Sequence, residues 1–337
     1  MVGAGAEDKP AWSAVPPRVR LGVARILGSP VVHGRRTYGG YGPSATFVIT
    51  LADGRRAFFK GTYPLPEGSG VRWSLGREER VYRRLGRVIE PWAPAYLGSV
   101  RADGWHALLL EPLGGTPVLP WTRPKAHRAV LSYAAFHAST LGQPLPTWLS
   151  RTQHREFSGY WRTVARDEAA VERLTALAGP RSPEARAWLR GSMGTLRRGE
   201  GALRSAEGPF ALLHFDTRSD NVRLEGPLLR MFDWPDASVG PPEFDVAAFA
   251  QSIEAEDGPR SEVVLGWYEA VLPLRRDVLS GSVAGIAGYF ADRAPRPDIP
   301  GLPRLRSIQR LQLKASLRWA ASLLDLPEPS WLATVPR

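Results

Sequence analysis

His214-Phe215-Asp216-Thr217-Arg218-Ser219-Asp220-Asn221 spaces a histidine, a carboxylate and an amide as H-x-D-x-x-x-x-N. Leu212-Leu213 before it and Val222-Arg223-Leu224 after it have strand character, so the stretch reads as a polar loop between two short strands. Leu228 to Phe232 reads as another apolar strand, and it ends in Asp233-Trp234. A strand-end carboxylate, a few residues beyond a second carboxylate and an amide, offers the hard oxygen ligands that Mg²⁺ and nucleotide phosphates require. One carboxylate is left to face an attacking hydroxyl. A turn of Asp, Asn and Ser bonding its own backbone would explain the loop alone, but not the carboxylate at the next strand end.

Outward from this loop the chain changes character at Leu113-Gly114-Gly115. Before that break, Ala45 to Leu51 and Arg56 to Lys60 read as a hairpin around Ala52-Asp53-Gly54. Ala95 to Arg101 and Trp105 to Glu111 read as a second hairpin, around Asp103-Gly104. Ser74 to Leu85 between them fits a helix with Ser74 as N-cap. After the break, Trp121 to Leu141, Phe157 to Ala178, Pro183 to Arg198 and much of the chain from Pro242 on, including Pro303 to Leu324, read as helices. Arg18 to Leu27 reads as a short helix behind Pro16-Pro17, and Met1 to Pro16 as a flexible tail. The expected organisation is α+β and two-lobed: a tail and short helix over 1–29, a small β-rich N-lobe over 30–112, and a mostly helical C-lobe over 113–337.

Composition removes several classes of function. The chain has no cysteine, which excludes disulfides and thiolate metal sites and leaves oxygen or imidazole to hold any metal. Met1 to Ala14 lacks the apolar core of a signal peptide, and no apolar run approaches the ~18 residues that span a bilayer. A cytoplasmic protein without a membrane partner is expected. The net charge of +11 comes almost wholly from scattered arginine, with no basic run interleaved with aromatics, so nucleic acid is not the expected partner. Lysine occurs only at Lys9, Lys60, Lys125 and Lys314, and in so lysine-poor a chain the strand-ending Lys60 needs a reason.

The segment 214–245 resembles the aminoglycoside phosphotransferase and choline kinase family of small-molecule kinases, which share the protein-kinase fold. The family's H-G-D-x-x-x-x-N, I-D-W/F and G-x-x-x-x-D elements match His214-Phe215-Asp216 with Asn221, Phe232-Asp233-Trp234, and Gly240 through Asp245. The resemblance implies ATP and Mg²⁺ as cofactors and, as acceptor, a small-molecule hydroxyl on an aminoglycoside-like antibiotic, a sugar or an amino alcohol. It implies Asp216 as catalytic base or hydroxyl-orienting group, Asn221 and Asp233 as metal ligands, and Asp245 as a brace for the loop. Arg218 stands where relatives carry a donor to the phosphoryl group in flight. In the N-lobe, Tyr38 to Ser44 takes the place of the phosphate-covering loop, with Gly40, Gly42 and Ser44 toward the nucleotide. Lys60 takes the place of the phosphate-pairing strand lysine, Glu78 or its neighbour Glu79 that of the helix glutamate paired with it, and Glu111 and Leu113 that of the hinge. Phe136-His137 is similar to the family's L-H element, although a packed core histidine is the favoured reading.

Two positions depart from pattern. Phe215 replaces the family's glycine and also the arginine of protein kinases, and Asp233-Trp234-Pro235 replaces D-F-G. Both point away from a protein kinase. A non-catalytic pseudokinase that binds nucleotide or a protein partner is the competing reading, although Lys60, Asp216, Asn221 and Asp233 are all present. For the acceptor, Glu254-Ala255-Glu256-Asp257 is the acidic cluster a cation would want, and a solvated helix end explains it as well. Trp161, Trp188 and Trp267 could stack on a sugar or ring, although core packing is the favoured reading for each.

Overall fold

Five antiparallel strands build the first sheet of the computed structural model, which describes residues 9–37, 44–64, 74–299 and 304–337. They are β1 (Val31–Arg36), β2 (Ala45–Leu51), β3 (Arg56–Thr62), β4 (Tyr96–Ala102) and β5 (Trp105–Leu110), in the order β1-β2-β3-β5-β4. Along β2 the apolar Ala45, Phe47, Ile49 and Leu51 alternate with half-buried residues, which fixes its register. β5 is buried along its whole length. Helix α1 (Pro17–Leu27) presents Val19, Val23 and Leu27 to this core at i, i+4 spacing. Helix α2 (Gly76–Ile89) buries Glu78, Glu79, Val81, Tyr82, Leu85 and Ile89, so its buried face carries charge as well as hydrocarbon. Trp12, read from sequence as part of a tail, instead sits in a short 3-10 turn with its ring 5.4 Å from Phe47 and 5.3 Å from Phe59. This half-buried aromatic side chain, packed edge-on against two rings of the sheet, ties down the segment that carries it.

The chain forms two compact units: Met1–Thr116 with Asp220–Asp236, and Pro117–Ser219 with Ala237–Arg337. The two-residue strand β6 (Thr116–Pro117) marks the first crossing. Strand β7 (Ala211–Leu213) belongs to the second unit, whereas the hairpin of β8 (Val222–Glu225) and β9 (Leu228–Met231) belongs to the first. There Met231 N donates to Trp92 O at 2.6 Å, and Arg230 reaches Glu111 at 2.7 Å. Gly115, with φ +75, lies so close to Leu224 that a Cβ would overlap its carbonyl.

The second unit is helical, with β7 paired antiparallel to β10 (Ser238–Gly240). Its helices are α3 (Arg123–Thr140), α4 (Tyr160–Arg166), α5 (Glu168–Ala176), α6 (Ser182–Gly201), α7 (Pro242–Ala255), α8 (Ser261–Glu269), α9 (Arg276–Arg293) and α10 (Leu305–Leu323). The single helix expected over Phe157 to Ala178 is a 3-10 turn followed by α4 and α5. Glu200 causes the restart: its buried carboxylate accepts the N–H groups of Trp161 at 3.0 Å and Arg162 at 3.1 Å, capping α4 from a distant helix. Asp167 is extended and separates α4 from α5. Trp161 is fully buried and Trp188 donates to Pro327 O, so both are packing residues. Gly240 also has a local cause, since a Cβ would meet Leu213 Cδ1 at 2.8 Å and His154 Nδ1 at 2.9 Å.

Candidate active site

Within the first unit, β3 and α2 bring two opposite charges together out of water. Lys60 pairs across the sheet with Thr46 on one side and Leu108 on the other, so its backbone is fixed by both neighbours. Its Nζ lies 2.6 Å from Glu78 Oε2 and 2.7 Å from Asp233 Oδ1. The choice between Glu78 and Glu79 is thereby resolved by helix phase. Glu79 points elsewhere and accepts from Ser99 at 2.6 Å and Arg101 at 2.7 Å, with His106 at 3.0 Å. Burial disfavours the Lys60 ammonium, but the two carboxylates outweigh it and hold its pKa above the ordinary value. Burial pushes Glu78 up to about 7; the ammonium opposes this and the Asp233 carboxylate reinforces it.

Asn221 and Asp233 lie at the open end of the β8–β9 hairpin. Val222 pairs with Met231, and Phe232 N donates to Asn221 O at 3.0 Å. Asn221 is buried, and the Asp233 side chain is partly open. Asp233 takes φ +68, a left-handed conformation that costs a non-glycine residue about 1–3 kcal/mol. The donor set suits Mg²⁺, which takes hard oxygen from one or two protein groups and keeps its remaining ligands from water and phosphate. Among the described residues no group of three or more His, Asp or Glu forms a cage of the kind a structural metal uses.

Within the second unit, the loop that carries Asp216 is pinned on both sides of it. Asp245, in the first turn of α7 and almost fully buried, accepts from His214 N at 2.7 Å and Phe215 N at 2.9 Å. It also accepts from the Tyr133 hydroxyl at 2.6 Å. With its proton committed there, Tyr133 takes a hydrogen bond from the Thr217 hydroxyl at 2.6 Å. His137 completes the network, 2.7 Å from the Tyr268 hydroxyl and 3.4 Å from Asp245, so it is a buried structural histidine. Asp216 itself stays 40% exposed, with Arg218 Nε 3.0 Å from its Oδ1. Phe215 adopts φ +74, and its ring stacks on Phe244 at 4.9 Å. A glycine would reach that φ freely; here an aromatic stack holds it.

Of the remaining expected site residues, Gly40 and Gly42 lie outside the described residues. Ser44 is buried just before β2. Glu111 fixes its own segment: its N–H donates to Ala95 O at 2.9 Å, and its carboxylate takes Arg230. Leu113 is half-buried. Sequence reading missed Tyr133 and Thr217. Tyr133 was within reach, because it stands one turn before His137 on the same helix face.

An antiparallel sheet with a braced helix, a lysine–glutamate pair beside a hairpin-end aspartate, and a helical unit holding an H-x-D loop define a protein-kinase-like α+β fold. The chain belongs to the phosphotransferase enzyme family, whose sequence profile matches residues 39–276. It is similar in structure to spectinomycin phosphotransferase in complex with ADP and spectinomycin, with a TM-score of 0.58, 11% identity, and coverage of 92% of this chain and 98% of that one. An aminoglycoside phosphotransferase in ternary complex with ADP and hygromycin B gives 0.54 at 13% identity, covering 94% and 98%. A choline/ethanolamine kinase family protein from Mesorhizobium loti gives 0.53 at 16%, covering 90% and 92%. At these identities the likeness is one of fold. No curated protein matches the sequence. Among the described residues no helix is long and apolar enough to cross a membrane.

Proposed function

We propose that the protein transfers the γ-phosphoryl group of ATP to a hydroxyl of a small molecule. The observation that carries this reading is Lys60, a buried ammonium held between Glu78 and Asp233 in a family of phosphotransferases. Two of the similar structures hold ADP, which favours an adenine nucleotide. In this reading Lys60 positions the phosphates, and Asn221 and Asp233 would hold Mg²⁺. Bound there, the ion would supply positive charge against the phosphate oxygens. Asp216 orients the acceptor hydroxyl and takes its proton as the new O–P bond forms and the bond to the ADP oxygen breaks. Arg218 offers guanidinium donors to the transferring group, and its ion pair with Asp216 keeps both side chains at one place on the loop. Glu111 and Leu113 would line the nucleobase end, with Gly40, Gly42 and Ser44 over the phosphates.

The test is an ADP-release screen over hydroxyl-bearing sugars, amino alcohols, aromatic alcohols and antibiotics, followed by Asp216→Asn on any acceptor found. Loss of a general base lowers turnover by about 10²–10⁴-fold. The thermal midpoint and ATP affinity should hold. Wild-type turnover in Asp216→Asn would remove Asp216 from the chemistry.

A further inference from the structure

Phe215 is the first of a set of rings that stand beside Asp216. Phe157 lies 5.8 Å from Phe215 and 5.3 Å from Tyr289, and Tyr160 lies 5.3 Å from Tyr289. All four are half-buried, whereas Phe244 beneath them is 1% exposed. Burial raises the pKa of the Tyr289 hydroxyl, and the charges of Arg293, Asp216 and Arg218 all act on it, so this ring stands in the field of the loop. The Arg293 guanidinium lies 5.6 Å over the Tyr289 ring. A ring face that would attract an ammonium ligand is therefore already covered by a cation.

The charge nearby is in positive excess. The carboxylate next to Arg293 is Asp292, at 3.3 Å, and Arg296 already binds both of its oxygens at 2.8 and 2.7 Å. Arg306, buried beside them, is held below its ordinary pKa by burial and by the charges of Arg296 and Arg293. The acidic cluster that a cationic acceptor would want is occupied. Glu254 is taken by Arg318 at 2.9 and 2.8 Å, Glu256 by Trp121 at 2.9 Å and Ser219 at 2.5 Å, and Asp257 by Arg337 at 2.7 Å.

We propose that the acceptor is a ring-bearing alcohol carrying a negative charge, its ring against Tyr160 and Tyr289 and its anionic group on Arg293. This rests on the kinase reading above. An aromatic platform with a guanidinium at its edge selects a flat anion, because the fork of N–H donors matches a carboxylate or phosphate and repels an ammonium.

Three matched probes test it: 4-(hydroxymethyl)benzoate, 1,4-benzenedimethanol and 4-(hydroxymethyl)benzyltrimethylammonium. Their binding to the full chain is titrated by ligand-observed NMR, with and without ATP and Mg²⁺, and ester formation is followed by phosphorus NMR. The carboxylate should bind at least about tenfold more tightly than the ammonium, the difference one charge-assisted contact supplies. Arg293→Gln should erase that preference, and Tyr289→Leu should weaken all three probes alike with the preference kept. Arg293→Lys serves as a second variant that retains the charge, and it should retain part of the preference. Equal or tighter binding of the ammonium, no binding of any probe, or a preference unmoved by Arg293→Gln would each overturn the proposal. The predicted binding order without ester formation from any acceptor would instead count against the kinase reading. Transfer favouring the ammonium would leave that reading standing and sink this one.

Discussion

Glu78 and Asp245 are both 1% exposed, and the two units satisfy them by opposite means. Asp245 is met chiefly by two backbone N–H groups and a tyrosine hydroxyl, neutral groups fixed by the fold, with the His137 ring farther off at 3.4 Å. Glu78 is met chiefly by one ammonium, which it shares with Asp233, with the Trp234 N–H as a lesser donor. The helical unit thus uses a buried carboxylate to set a backbone, and the sheet unit uses one to hold a cation. Neutral dipoles give geometry that survives changes in charge, whereas an ion triad remains sensitive to every charge near it.

Removing the cation should have the largest effect on stability. Lys60→Met leaves the buried Glu78 carboxylate facing the partly open Asp233 carboxylate with no cation between them, and one-sided loss of a buried pair costs about 3–5 kcal/mol. Denaturant unfolding at pH 8 without nucleotide should show that loss, and at pH 6 a smaller one, because Glu78 then accepts a proton. Equal losses at both pH values would break the contrast with Asp245. Asp245→Asn should cost less, about 2 kcal/mol, since an amide still offers one acceptor but turns a donor toward the loop. Hydrogen exchange should find the His214 and Phe215 amides deprotected in Asp245→Asn and still protected in Lys60→Met.

The pH dependence sharpens the contrast further. Glu78 titrates at about 7 in the fold against an ordinary 4.5, so the folded state binds the extra proton between those values. Its contribution is present below pH 4.5 and is lost as pH rises through 7. His154, buried against Phe210, is pushed by burial and then by the Arg155 charge down to about 4 from an ordinary 6.5. Its contribution is present above pH 6.5 and is lost as pH falls through 4. Stability-versus-pH curves for Glu78→Gln and His154→Leu, each subtracted from wild type, should therefore slope in opposite directions. Slopes of the same sign would refute one of the two assignments.

The smallest effect is expected at Phe215→Gly. It relieves a left-handed φ worth about 1–3 kcal/mol and removes a half-buried ring of similar worth, so the unfolding free energy should change by no more than about 1 kcal/mol. A larger drop would mean that the ring stack, and not Asp245, holds the loop.

The polar loop, its strand-end carboxylate and the lysine were legible because each is a local pattern: a residue type at a fixed offset from a strand or turn. The two-lobed α+β plan followed from where hairpins give way to helical periodicity. What the sequence withheld depends on long-range packing. Glu78 and Glu79 are adjacent, and only the docking of α2 on the sheet decides which meets Lys60. The division of Phe157 to Ala178 into separate helices depends on Glu200, a cap from another helix. Phe157 and Tyr160 stand three residues apart and touch at 5.6 Å, but Tyr289 lies far along the chain and joins them only once α9 is packed.

The β8–β9 hairpin is written inside the sequence of the second unit yet completes the first. Asp233 follows Lys60 by 173 positions. A ribosome therefore releases the leading sheet with Lys60 and Glu78 but without the third member of their triad. The unit begun first cannot be finished until the whole of the other unit's opening stretch, 117–219, has been made. The order of synthesis and the order of assembly are interleaved. Cutting the chain at 116 and 117 would not yield two separable halves: the first piece would be left with a lysine and a glutamate whose aspartate had gone with the second.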